Sequence, residues 1–219
     1  MLSVTVSTDM KKRIVIAMSG GVDSSVAAAL LQRKGYDVLG ITMRFGVSGR
    51  LQGEPCCVNT MAIEDAKKVA LALGIRHHVV DMHAILEERV IKEFCSQYVR
   101  GRTPNPCVRC NQHIKFGALL KKALSLGAHY FATGHYARVI CSLPVGRHGK
   151  PQAASRTYTL KKAKDKNKDQ SYFLYRLNQD QLKYILFPLG GFTKGQVRGL
   201  AQSFKLPVAE KKASQEICF

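Results

Sequence analysis

The sequence predicts an α/β fold: a doubly wound, mostly parallel sheet flanked by helices. Three observations lead there. Short apolar runs alternate with stretches of helical periodicity along the 219 residues. The joins between them are short and marked by glycine, as strand–helix–strand units require. The first apolar run, Ile14 to Met18, passes through Ser19-Gly20-Gly21-Val22-Asp23-Ser24 directly into a helix-forming stretch, Val26 to Leu31.

That passage carries the first chemistry. Two glycines let the backbone turn tightly and bring its N–H groups close to a ligand. The helix start adds unpaired donors and a positive dipole end. Ser19 and Ser24 offer hydroxyls, and Asp23 can hold a metal or cap the helix. The product is an anion nest of pyrophosphate size. It is not a Walker A loop, because no Gly-Lys-Ser/Thr follows, and it lacks the third glycine of the dinucleotide fingerprint.

The remaining elements follow in order. Gly35 closes the first helix and Val38 to Met43 is the second strand. Met43, at its end, is placed either to pack against an adenine or as a plain core residue. A loop over 45–58 holds Cys56 and Cys57, for which packing is the first reading. Thr60 to Leu73 is a helix with apolar positions 62, 66, 69, 70 and 73. Ile75 to Val80 is the third strand and Ile85 to Tyr98 a helix. Pro104 and Pro106 then forbid a regular helix, so Cys107-Val108-Arg109-Cys110 is expected on a bent loop, with a helix from Ile114 to Leu126. Tyr130 to Thr133 is a strand leading into Gly134-His135-Tyr136. Tyr158 to Leu160 is half of a hairpin. Asp169 caps a helix running to Leu177, Gln179 to Leu186 is another, and Thr193 caps a last one reaching Phe204.

Composition narrows the partners. Lys and Arg number 34 against 15 acidic residues, a formal charge of +19. Such an excess repels itself unless a polyanion shares it, which points to nucleic acid. A hydrophobic fraction of 46% excludes a disordered chain. No apolar run reaches membrane-spanning length and no signal-peptide core is present, so the expected compartment is the cytoplasm, with no membrane partner. Seven cysteines in a reducing compartment read as catalytic, metal-binding or buried thiols. Cys107 and Cys110 form the reactive pair by spacing, while Cys95 and Cys141 read as packing residues. Five lysines between Lys161 and Lys168 form a candidate phosphate-contact patch.

The loop, with G-R-T-P-N-P-x-x-x-C-N, T-G-H-Y-A-R, K-D-Q-S-Y-F-L and S-Q-E-I-C-F in that order, resembles the bacterial tRNA-specific 2-thiouridylases. These belong to the pyrophosphate-loop ATP pyrophosphatases, with an adenine nucleotide alpha hydrolase-like fold. The resemblance implies ATP-dependent replacement of the C2 oxygen of the tRNA wobble uridine by sulfur, with Mg²⁺ and a sulfur-donor or sulfur-relay protein. It implies ATP contacts from Ala17, Met18, Ser19, Gly20, Gly21, Val22, Asp23, Ser24, Met43 and Gly134. Cys110 matches the nucleophile and Cys218 the persulfide carrier, with a disulfide between them after turnover. Asn105, Pro106 and Cys107 fall where the family contacts the target base; His135, Lys168, Asp169 and Gln170 fall where it touches tRNA.

Two departures stand out. Many members carry Asp where this chain has Cys107, so Cys107, Cys110 and Cys218 make a three-thiolate set able to hold an iron–sulfur cluster, an alternative to the persulfide route. The family also continues into further tRNA-binding and β-rich parts. The expected organisation is therefore a polar leader over 1–11, with Met10 an alternative start, and a catalytic domain over 12–219 without those parts. The competing functions are another pyrophosphate-loop enzyme and a non-catalytic RNA-binding module.

Overall fold

The computed structural model describes residues 11–46, 60–142 and 156–212. Strand β1 (Arg13–Ala17) lies at the centre of a parallel sheet because both of its faces are apolar: Ile14, Val15 and Ile16 are fully buried. On one side it pairs with β2 (Asp37–Arg44), which pairs with β3 (Arg76–Asp81). On the other it pairs with β4 (Tyr130–Thr133), then β7 (Ile185–Leu186). The order β3-β2-β1-β4-β7 reverses direction between β1 and β4, and open sheets bind ligands above such a reversal. The predicted parallel α/β sheet is thus the fold observed.

Alternate residues of β1 divide the core. Ile14 and Ile16 pack with Val26 and Leu31 of α1 (Val22–Arg33), Val69 of α2 (Thr60–Leu73), and Val197 and Ala201 of α8 (Lys194–Ser203). Val15 faces the other way, against Ile114, Phe116, Leu119 and Phe131. Helix α8 starts on a full capping box between Thr193 and Gln196, the cap anticipated from the sequence. A separate hairpin pairs β5 (Ala137–Ser142) with β6 (Thr157–Lys162), which bears out the half-hairpin reading.

Five local expectations change. The proline segment is helical: α5 (Pro106–Arg109) runs into a π-helix over Cys110–Leu119 and then α6 (Leu120–Ser125). Pro106 occupies the first helical position, where its missing N–H costs nothing, and the Asn105 side chain accepts from Cys107 N at 3.1 Å. The helix after β3 is likewise interrupted: α3 (His83–Leu86), a π-turn over Glu87–Ile91 and α4 (Lys92–Val99). Asp169 caps no helix; only a 3₁₀ turn forms over Ser171–Leu174. Residues 179–186 are a four-residue helix, α7 (Gln179–Leu182), followed by strand β7, because Tyr184 O accepts from Phe131 N and continues the sheet. Cys95 and Cys141 are exposed rather than packed, one on α4, which buries no residue, the other on β5 opposite Tyr158 of β6.

Candidate functional site

The loop between β1 and α1 meets the reversal point of the sheet. Gly20 adopts φ +67°, and a Cβ built there would lie 2.1 Å from the Ala62 carbonyl oxygen, so glycine is required twice over. Ser24 Oγ accepts from Ser19 N at 3.1 Å, lies 3.3 Å from Ser19 Oγ and donates to Gly21 O, which ties the turn to the first helical residues. The N-cap of α1 is Gly21, which has no side chain to cap the helix, and this suits its first N–H groups to an anion. Gly134, at the end of β4, closes the cradle from the side: a Cβ there would lie 2.8 Å from Ser24 N. Ala17, Met18 and Val22 are the apolar supports beneath, and Ser19 is exposed above them. Met43 is half-buried at the end of β2, registered with Val80, on the Phe131 side of the sheet.

Asp23 does not cap α1, whose N-cap is Gly21; it lies in the first helical turn. Lys194 Nζ donates to its two carboxylate oxygens at 2.6 and 2.7 Å, and the Tyr136 hydroxyl donates to Oδ1 at 2.8 Å. The carboxylate is thus engaged by two protein donors beside the loop. Burial, then the neighbouring Asp23 charge, raises the Tyr136 pKa and keeps its hydroxyl a donor. Lys194 N in turn donates to Asp165 Oδ2 at 2.8 Å, and Lys211 Nζ donates to Gly20 O and Asp65 Oδ2. Two lysines from the end of the described chain therefore border the loop. The sequence signalled only a capped helix there.

Of the residues matched to tRNA contact, two are internal supports. Gln170 exchanges hydrogen bonds with the Tyr136 backbone in both directions. Asp169 accepts from Ala163 N at 2.7 Å and Ser171 Oγ at 2.6 Å. His135 is 9% exposed, set between Phe116 and Phe187 with its Nδ1 2.7 Å from Thr133 Oγ1, so its ring is not offered to the surface. Burial, then the Lys115 charge, holds its pKa well below the ordinary value, and it is neutral. Lys168 is exposed, as are Lys161, Lys162, Lys164 and Lys166.

Cys107 is exposed and Cys110 half-buried, three residues apart on one helical turn, hence on neighbouring faces. The far end of this helical rod reaches the amino edge of the sheet, where Arg13 Nη1 donates to Leu126 O. Its Cys110 end therefore points to the carboxyl edge. The rod packs on the opposite sheet face from α1, yet Phe116 touches His135, next to the Gly134 that walls the cradle. Cradle and thiols thus share one edge. Cys218, Cys56 and Cys57 lie outside the described residues. Among the described residues, no three His, Cys, Asp or Glu side chains gather closely enough to hold a metal, and no helix is long and apolar enough to cross a membrane.

Residues 12–219 match the family model described as the tRNA methyl transferase HUP domain. The chain is 51% identical over 212 residues to the tRNA-specific 2-thiouridylase of Pelotomaculum thermopropionicum, covering 95% of this chain and 55% of that relative. It is 49% identical over 212 residues to the 2-thiouridylase of Carboxydothermus hydrogenoformans, with 95% and 55% covered. The chain therefore spans about half the length of the curated relatives it matches, and the family resemblance read from its motifs holds. In fold it is similar to an NMN synthetase from Francisella tularensis (TM-score 0.52, 16% identity, 94% of this chain and 67% of that one). It is also similar to a glutamine-dependent NAD⁺ synthetase from Acinetobacter baumannii (0.53, 14%, 94% and 33%).

Proposed function

The chain belongs to the tRNA methyl transferase HUP domain family, and from that premise we propose that it replaces the C2 oxygen of the tRNA wobble uridine with sulfur at the expense of ATP. The relatives' names specify a thiouridylase, and two cysteines at the carboxyl edge suit sulfur rather than methyl transfer. The observation that carries the reading is that edge: an amide cradle at the strand-order reversal, with Cys110 on a helix opening onto the same side.

A uracil carbonyl is a weak electrophile with no good leaving group. In this reading its oxygen attacks the α-phosphorus of ATP and pyrophosphate departs. The N–H groups at the start of α1 and the Ser19 hydroxyl receive the phosphates, while Mg²⁺ arrives with the nucleotide. The outer sulfur of a Cys218 persulfide then adds to C2 and AMP leaves. The Cys110 thiolate attacks the inner sulfur, breaking the S–S bond. This leaves thiouridine and a Cys110–Cys218 disulfide, which an external reductant must reopen. The persulfide's outer sulfur is reduced as the two thiols are oxidised, so electrons balance. A sulfur-donor protein reloads Cys218. Should Cys107, Cys110 and Cys218 instead hold an iron–sulfur cluster, the cluster would supply bound sulfide; iron analysis of anaerobically purified protein separates the two.

The basic surface holds the tRNA, and the target base must leave its stack to be reached. The test is thiolation of uridine-containing tRNA with ATP and a sulfur donor. Labelled sulfur should appear in RNA with the wild type and not with Cys110→Ala. Equal incorporation by both would refute the assignment.

A further inference from the structure

Two tyrosines stand out on the surface beside the thiol helix. Tyr172 is 68% exposed and Tyr175 58%, with ring centroids 6.1 Å apart and planes tilted by 37°. Phe173, edge-on to Tyr172 at 5.7 Å, backs the pair from below, and Arg176 Nε donates to the Tyr175 hydroxyl at 3.1 Å. Large aromatics are not left in solvent by the core's needs, since Leu174, between them, is 1% exposed and does the packing.

Their position is set by the residues that follow Cys110. Asn111 Nδ2 donates to Phe173 O at 3.1 Å, and Arg176 Nη1 donates to Gln112 Oε1 at 3.1 Å. Asn111 is 2% exposed, and its Oδ1 is buried without a hydrogen-bond partner among the described residues, so a core polar group is spent on joining this turn to the thiol helix. The surroundings are cationic. His113 has its pKa lowered first by burial, then by the charges of Arg109 and Arg89, against an opposing pull from Glu93, and also by Arg176. The exposed lysines of 161–168 lead along the chain into the same turn.

We propose that Tyr172 and Tyr175, with Arg176, form a stacking platform for unpaired nucleobases of the RNA loop, holding the strand next to Cys110. The proposal rests on the tRNA reading above and names side chains which that reading does not use. Base–aromatic stacking within a basic groove is how single-stranded RNA is held without sequence readout. The platform positions the strand; it touches no reacting atom.

The test uses the full chain and a short RNA hairpin with 2-aminopurine beside a loop uridine, read by anisotropy and by 2-aminopurine fluorescence. Wild type should bind and quench. Tyr172→Ala and Tyr175→Ala should each weaken binding about ten-fold, lose quenching, and keep the wild-type dependence on salt. Lys161→Ala/Lys162→Ala should instead flatten that dependence. Tyr172→Phe should restore binding and quenching, whereas Tyr172→Leu, which keeps bulk without a π face, should not. Wild-type affinity and quenching in both alanine variants would overturn the platform alone. A wild-type chain that binds no hairpin would overturn it together with the tRNA reading.

Discussion

Around Gly20 and Gly134 the backbone is packed so closely that an added methyl has no room, whereas beside Cys110 side-chain hydrogen bonds from Asn111 and Arg176 join the helix to the 171–176 turn, and Cys107 is exposed. The difference follows from what each region has to do. Backbone N–H groups stabilise phosphate only if they are already aimed, so the cradle is fixed by contacts that cannot relax. In the proposed reaction the thiols must meet a sulfur donor and RNA, and Cys107 stands exposed while Cys110 packs partly against the core. Between the two lies His135, touching Phe116 of the thiol helix and adjoining Gly134 of the cradle.

The contrast can be broken most severely at Gly20. Gly20→Ala forces a left-handed φ on an alanine and drives its Cβ into Ala62 O. A loss of about 2–5 kcal/mol is expected in urea unfolding. Gly21→Ala, whose Cβ would meet only Ser19 Oγ at 3.5 Å among the described residues, should cost about 1 kcal/mol or less. Equal losses at the two positions would mean that the loop is not held as described.

Next comes the lysine that closes the cradle. Lys194→Met removes the partner of both Asp23 oxygens, at a site where the lysine is 17% exposed. The expected cost is about 1–2 kcal/mol, part of it regained in the double variant with Asp23→Asn. Strict additivity of the two changes would show that the pair is not coupled.

The seam should reveal itself through pH. His135 is neutral when folded, with its pKa held below the ordinary 6.5 of the unfolded chain. The unfolded chain therefore binds the extra proton as pH falls below about 6.5. Stability should be full above that pH and decline beneath it, by at most about 1.4 kcal/mol per pH unit. Thermal melts between pH 7 and 5 should show the decline, shallower in His135→Leu. His77 and His113, also lowered by burial first, leave a residual slope. An unchanged slope in the variant would place the titration elsewhere.

The smallest stability effect belongs to the thiol turn. Cys107→Ser and Cys110→Ala should unfold within about 0.5–1 kcal/mol of wild type, even as the second loses thiolation. A larger loss in Cys107→Ser would mean that this turn is structural after all.

Periodicity and glycine punctuation were enough to place most strands and helices, the loop over Ser19–Ser24 and the Thr193 cap, because these depend on contacts close in sequence. The proline segment misled for a local reason: a proline that breaks a helix in its interior begins one at its first position, and only Asn105 distinguishes the two. Strand β7 was missed because two residues carry no period, and only their pairing with Phe131 and Ala132 makes them a strand.

What the sequence by itself determined is the parallel sheet, the anion-binding turn and the cysteine pair, each written in neighbouring residues. What only the tertiary structure decided is who meets Asp23 and what meets the thiol helix. Lys194 lies 171 residues along the chain from Asp23. Asn111 reaches Phe173 across 62 residues. Such meetings leave no local pattern, because the free energy that selects them comes from burying the two faces of the sheet, and the polar contacts form where that packing brings the chains together.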